Sequence, residues 1–431
     1  MRLKLHWQIV IAIAAGILAG SLSGETGGLA GVSFYSVYDF FGTLFINALK
    51  MLIVPLIASS IIVGVASIGS SGNLGRLGYK TLGVYLLTTL AAILVGLVLV
   101  NTLRPGEIDG EPVKELLALD TTADDVLASV SERGAGDIVA VLLRAVPPNI
   151  VAAAANGQML GIIFFCLLFG FFMTRLDDDY AQPLYRFWSG VFHVMMRMTE
   201  WVMLFAPIGV FGLVGRVVAR TGFDAAVPLL VFAGVVLLAL VVHAFATLPL
   251  LLKFVAGVSP GRVLKFISPA MLTAFSTASS AATLPITMEA VEEGMGVPNR
   301  ISSFVLPLGA TVNMDGTALY ECSAVLFLAQ AYGVELSILT QLLVVFTALV
   351  TSIGVAGIPS ASLVAIAIIL AAVGLPVEAI GVLFVFDRIL DMSRTSVNIL
   401  GDSCCTVIVA RLEGESLPAI REDVATRGRE V

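Results

Sequence analysis

The chain has 431 residues, of which 58% are hydrophobic and 13% charged, and a formal net charge of -7. With a mean hydropathy of +1.00, it is excluded from the soluble enzymes with a modest core and reads as a polytopic helical membrane protein. The charges follow the loops and point to no nucleic-acid partner, and Cys166, Cys322, Cys404 and Cys405 lie in apolar surroundings without metal-type spacing, as packing residues do.

Taken in order, Arg2 and Lys4 precede an apolar run from Trp7 to Leu22. So many spans follow that this is expected to be a retained first transmembrane helix with a cytoplasmic N-terminus, not a signal peptide. A second span, about Phe40 to Val65, contains Lys50 and Pro55. A loop with Arg76 and Lys80, whose basic charge places it inside the cell, leads to a third span ending near Leu103. The stretch from Arg104 to Asp137 is long and acidic, with Asp120, Asp124, Asp125 and Glu132, as expected of an outer-face connection. From Val139 to Met173 the pattern is broken by Pro147, Pro148 and Gly157, which predicts a kinked or multi-piece span. A fifth span, about Trp188 to Val218, holds Arg197, Glu200 and Pro207, and a sixth runs from about Ala226 to Val255. Lys253, Arg262 and Lys265 then mark a return to the cytoplasm.

After Lys265 small and polar residues interrupt the apolar segments in pairs. The Ser-rich AFSTASSAATLPIT, Ala274 to Thr287, precedes a long helix broken at NMDGT, Asn313 to Thr317; TSIGVAGIPSAS, Thr351 to Ser362, precedes a charged segment. This correspondence points to inverted repeats around a midplane solute site, and the two tips read as re-entrant hairpins. In NMDGT, Gly316 is expected to let the helix open, while Asn313, Asp315 and Thr317 supply hard oxygen donors for a small cation. GVAGIP has almost no side-chain chemistry, so binding there must use its backbone, aided by Gly354 and Gly357. Tyr85, Thr88 and Thr89 form a polar patch at helical spacing, which read alone is an ordinary packing feature.

The segment DRILDMSRTSVNILGD, Asp387 to Asp402, is the chemical centre. Asp387, Asp391, Arg394, Asn398 and Asp402 fall within an arc of roughly 80° on a helix at ~100° per residue. Each charge costs about 2.5 to 3.5 kcal/mol at a bilayer centre, so they persist only where they meet partners, ions or a solute. A buried structural ion-pair network is the bland alternative. Arg394 can take a carboxylate bidentately and Asp391 an ammonium, so a solute carrying both groups would satisfy both. None of the three histidines sits beside this stripe in the sequence. An intramembrane protease built on Asp391 and Asp402, or on Ser279 and Ser280, is a rival of a different class, but Arg394 between the carboxylates opposes a shared proton and no base lies near the serines. No enzyme activity is expected.

NMDGT, SSAATLP, AGIP and D-x-x-x-D-x-x-R-T-x-x-N-x-x-G-D, in this order, resemble the dicarboxylate/amino acid:cation symporter family, which includes the excitatory amino-acid transporters and archaeal aspartate transporters. The similarity is clearest from about Lys265 to Val409, with weaker matches at LKMLIVP, YLLTT and ANGQ. It implies an all-α inner-membrane protein of eight spanning helices plus two re-entrant hairpins, in a homotrimer with both termini cytoplasmic. Scaffold helices would cover about 5–70 and 139–220, a mobile transport domain about 78–103 and 226–412, and a cytoplasmic tail 413–431. It further implies that Arg394 holds the side-chain carboxylate of an acidic amino acid, Asp391 its amino group and Asn398 its α-carboxylate. Thr317, Thr395, Ser279 and Ser280 of the first tip, and Gly357 and Ile358 of the second, would complete the pocket. Three sodium sites are implied: Asp402 with carbonyls of Gly309, Asn313 and Asn398; Tyr85, Thr88, Thr89, Asn313 and Asp315; and carbonyls of Thr311, Ser352, Ile353 and Val355. No organic cofactor is expected. Having both Asp391 and Arg394 predicts aspartate or glutamate with sodium, the close alternative being a proton-coupled dicarboxylate symporter. Relatives carry an additional arginine where Ala278 or Met392 stands here; Arg388 either supplies that charge or pairs with Asp387.

Overall fold

The computed structural model describes residues 5–29, 31–69, 75–117, 119, 126, 143, 146–156, 158–222, 226–354 and 361–420. Apolar runs too long for strands become helices, whose backbone groups are satisfied internally. They are α1 (Leu5–Ser23), α2 (Phe34–Gly69), α3 (Gly75–Leu103), α4 (Ile150–Ala155), α5 (Met159–Met173), α6 (Asp178–Met203), α7 (Ala206–Thr221), α8 (Ala226–Ala256), α9 (Pro260–Thr277), α10 (Ser280–Glu289), α11 (Asn299–Val312), α12 (Asp315–Ala331), α13 (Ile338–Gly354), α14 (Ala361–Val373) and α15 (Phe384–Leu412). Two antiparallel two-residue ladders decorate the loops, β1 (Gly28–Leu29) with β2 (Val32–Ser33) and β3 (Glu107–Ile108) with β4 (Glu111–Pro112).

Among the described residues, 76–103 and 226–256 form helices that by length and composition can each cross a membrane. The span expected over Trp188 to Val218 is instead two helices, α6 and α7, bent by 56°. Pro207 fits where the second begins: its missing N–H costs nothing in a first helical turn, where that group has no partner in the helix anyway. The sixth span is continuous but contains two π turns, His243–Thr247 and Leu252–Ala256. From 139 to 173 the described part is α4 and α5; Gly157 and the acidic residues Asp120, Asp124, Asp125 and Glu132 lie outside the described residues.

Two sets of helices pack internally. In the first, α1 and α2 pack on α7, and α2 on α5 and α6; in the second, α15 packs on α3, α8, α9, α11 and α12, and α12 on α3, α13 and α14. Helix α12 is the innermost element, buried at every position from Asp315 to Ala331. Helices α9 and α10 fold back on each other through Ala278, in the left-handed conformation (φ 50°, ψ 41°), and Ser279, whose hydroxyl caps α10 by accepting from Ala282 N. The residues after α15 dock on the second set: Leu417 and Ile420 are buried, Ser259 N donates to Ile420 O (2.8 Å), and Arg411 Nε donates to Ala256 O (2.9 Å).

Candidate functional site

The polar stripe lies on α15 as the spacing predicts, and it faces inward. Asp387, Asp391, Arg394, Thr395, Asn398 and Asp402 are all buried. The fold closes over them because α12 crosses α15 at Gly316, where a Cβ would stand 2.8 Å from Arg394 O. Gly316 is therefore not the residue that opens the helix. It lies inside α12, and the break is made by Asn313 (φ -96°, ψ 88°) and Met314 (φ -113°, ψ 55°). Glycine is needed at 316 for contact: its N–H donates to Asn398 Oδ1 (2.8 Å), and Asn398 Nδ2 donates to Thr317 Oγ1 (3.2 Å) and lies 3.3 Å from Met314 Sδ.

At one end of the cluster, a single nitrogen of Arg394, Nη2, donates to both Asp387 Oδ1 and Asp391 Oδ1, each at 3.1 Å. The guanidinium carbon lies 3.9 Å from the centroid of the Tyr320 ring, a cation–π contact. Among the described residues, Arg394 Nε and Nη1 are buried without an acceptor. Thr395 donates to Asp391 O (2.8 Å), and Arg388 Nη1 reaches Asp391 Oδ2 at 3.4 Å. Arg388 thus meets Asp391, a partner other than the Asp387 that the sequence reading offered it. An ion-pair network does exist here, but it leaves two of three guanidinium nitrogens unspent, which a purely structural network would not do.

Further along α15 the cluster is acidic. Asn313 Nδ2 donates to Asp402 Oδ1 (2.9 Å), and its Oδ1 accepts from Thr88 (3.3 Å) and Thr89 (3.4 Å). Thr89 also donates to Asp315 Oδ1 at 2.7 Å. Tyr85 stands among them with its hydroxyl on Val305 O, and a Cβ at Gly309 would meet both Asp402 Oδ1 (2.6 Å) and the Tyr85 hydroxyl (2.9 Å). The first two predicted cation groups are therefore one continuous cluster joined at Asn313. Its donors are hydroxyl, amide and carboxylate oxygens, a set suited to a hard cation. Among the described residues no lysine or arginine pairs with Asp315 or Asp402, and no trio of His, Cys, Asp or Glu side chains offers a transition-metal site.

One participant was missed in the sequence. His243, in the first π turn of α8, places Nε2 3.2 Å from Asp315 Oδ2, with both side chains fully buried. The absence of histidine from the stripe's own neighbourhood in sequence is thus no guide to space; a histidine in the middle of the apolar run of α8 was the available signal.

The remaining predicted residues divide. Ser280 is buried in the first turn of α10, in the hairpin that packs on α15, while the Ser279 hydroxyl is committed to its cap. Thr311 directs its hydroxyl to Leu308 O and Ser352 to Leu349 O, so neither side chain joins the cluster. Ile353 lies in the last turn of α13; Val355, Gly357 and Ile358 lie outside the described residues, and with them most of the second tip. Glu321, one turn beyond Thr317 and missed in the sequence, is fully buried, with Oε2 accepting from Thr351 (3.0 Å) and Oε1 without a donor.

The sequence matches the profile of the sodium:dicarboxylate symporter family over residues 5–412. It is 35% identical to the proton/glutamate-aspartate symporter of Escherichia coli (strain K12) over 413 residues, covering 96% of this chain and 94% of the relative. The proton/sodium-glutamate symport protein of Bacillus caldotenax is also 35% identical, with 96% of each chain covered. Excitatory amino acid transporter 3 of Oryctolagus cuniculus matches at 35% identity over 96% of this chain and 87% of its own. The matched span contains every helix from α1 to α15 and both ends of the polar cluster, and the chain belongs to the sodium:dicarboxylate symporter family.

Proposed function

We propose that the protein is a secondary active symporter that carries an acidic amino acid, aspartate or glutamate, across the membrane together with sodium ions. The observation that carries this is Arg394: a buried guanidinium whose Nε and Nη1 have no acceptor, beside Asp391, on the helix that also carries Asp402. An acid's distal carboxylate would take the open fork, its ammonium would take Asp391, and sodium would balance Asp315 and Asp402. The names of the relatives, among them a proton/glutamate-aspartate symporter and a proton/sodium-glutamate symport protein, support the same substrate class.

Asn398, Thr317 and Thr395 would line the pocket, with backbone of Ser279 and Ser280 from the first tip and of Gly357 and Ile358 from the second. Tyr85, Thr88, Thr89, Asn313 and Asp315 would form one sodium site, Asp402 with the carbonyls of Gly309, Asn313 and Asn398 another, and carbonyls of Thr311, Ser352, Ile353 and Val355 a third. The helix set around α15 would move against the set around α2, which matches a division into a transport domain (about 78–103 and 226–412) and a scaffold (about 5–70 and 139–220). Eight spans with two hairpins, a homotrimer and cytoplasmic termini complete the proposal. A second tip that seals over both solute and cation would couple them, because neither alone would hold it shut.

A proton as coupling ion is the second reading, favoured by Glu321: a fully buried carboxyl with one oxygen undonated is a place where a proton can ride. Counterflow in proteoliposomes separates the two. Sodium-dependent exchange of labelled aspartate or glutamate is expected. Exchange of succinate alone, unaffected by sodium and driven by acid outside, would replace the first reading with the second.

A further inference from the structure

We infer that Arg388 is a specificity-determining residue, an internal counterion that holds Asp391 when the bound solute has no ammonium, so that amino-free four-carbon dicarboxylates also enter the site. This rests on the proposed function and concerns the substrate class of the same site.

The two oxygens of Asp391 are shared between two guanidiniums: Oδ1 accepts from Arg394 Nη2 at 3.1 Å, and Oδ2 faces Arg388 Nη1 at 3.4 Å. Arg388 stands one turn before Asp391, and the side chains of the pair are each 11% exposed. Their contact lies at the long end of hydrogen bonding, and Arg388 Nε is buried without an acceptor. Arg388 is therefore a near but loosely held partner. The four charges Asp387, Asp391, Arg388 and Arg394 sum to zero, so the site carries no net charge of its own before solute arrives.

When a solute carboxylate draws on Arg394, Asp391 loses part of its compensation. Aspartate or glutamate restores it with an ammonium, which can replace Arg388 at Oδ2. Succinate has none. In a site without Arg388, bound succinate would leave Asp391 a buried carboxylate short of a partner, the arrangement by which a polar site rejects a solute lacking one group. With Arg388 in place that penalty is met internally, and discrimination between the two classes is weak.

The test uses the full-length protein in proteoliposomes, with labelled aspartate uptake competed by unlabelled aspartate or succinate. Succinate is expected to inhibit the wild type. Arg388→Met should raise the succinate inhibition constant relative to that of aspartate by about tenfold, the size of one charge-assisted contact. Arg388→Lys should keep the wild-type ratio. In an Asp391→Asn background, with the two affinities read by ligand-induced thermal shift of the purified protein so that lost uptake does not silence the comparison, Arg388→Met should leave the ratio unmoved, since a pairwise effect vanishes when its partner is absent. Arg388→Gln, closer in size and polarity, replaces the Met variant if that protein melts early in detergent. The inference is overturned if succinate fails to inhibit the wild type, if the ratio does not change on removing Arg388, or if it changes equally without Asp391. A wild type that takes up neither aspartate nor glutamate would bring down the proposed function itself, a different result.

Discussion

Arg394 and Asp402, two turns apart on one helix, have opposite needs. Arg394 has two nitrogens without acceptors, and its third serves two aspartates. Replacing it by cysteine removes the carboxylate fork and leaves Asp387 and Asp391 short of their shared partner. Arg394→Cys is expected to lower aspartate uptake by at least about thirtyfold, the low end of what losing a buried charge partner costs. Undiminished aspartate uptake in the variant would refute the role given to Arg394. Asp402 is buried and receives one donor, Asn313 Nδ2. Asp402→Asn removes the charge without changing the shape, and the half-saturating sodium concentration should rise by about tenfold or more. A sodium titration that overlays the wild type would sink that cation site. Arg394 and Asp402 were both legible in the sequence, since helical period alone puts them on one face. His243 was not: 72 residues separate it from Asp315, and only packing brings them together.

At the scale of elements, α12 and α15 are held at their centre by the Gly316 crossing and at one end by the docked chain that follows α15. Glu413, just past the last turn of α15, accepts from Lys80 Nζ of α3 at 2.5 Å and lies 3.5 Å from Arg76 Nε; Lys80 also donates to Leu412 O. The hydrogen bond from Lys80, followed by the charges of Lys80 and Arg76, holds the Glu413 carboxyl below the usual carboxylate range. A carboxylate with a depressed folded-state pKa contributes stability above its unfolded pKa and loses that contribution as pH falls through the folded one. The contact is near the surface, so the effect is small. Glu413→Gln should lower the melting temperature in detergent at neutral pH by about 1 °C, and the two curves should converge in acid, once the pH has fallen through the lowered folded-state pKa. An equal gap at both pH values would show that the carboxylate charge is not what ties α3 to α15. Helix α8 shows what local pattern misses: its apolar run predicts one span, but its π turns, which turn His243 toward Asp315, have no sequence signature.

For the whole molecule, the proposed coupling has a sign. A monoanionic amino acid entering against an interior-negative potential loses about 2.3 kcal/mol per 100 mV, and each accompanying sodium gains as much. Two or more cations are needed before voltage helps, and the three proposed would leave about 4.6 kcal/mol per 100 mV in favour of entry. Imposing an interior-negative potassium diffusion potential on proteoliposomes should therefore speed sodium-driven aspartate uptake. Slower uptake, or none of the acceleration, would mean that no more than one cation accompanies each substrate.

Composition and local period determined, with no structure at all, that this is a helical membrane protein, that charge is concentrated on one face of the helix from Phe384 to Leu412, and that a small-residue tip at Ala278 and Ser279 and a broken helix accompany it. Those features are local: each is set by neighbours within a turn or two, and fixed charge in an apolar chain is too costly to be incidental. The tertiary structure alone decided which partners those charges meet. It set the Tyr320 ring of α12 against the Arg394 guanidinium, left two of that guanidinium's nitrogens open, and carried His243 to Asp315. It also gave Gly316 a contact to make in place of a helix to break. Pairing across helices depends on crossing points and rotations set by the packing of the whole, and no single segment encodes them.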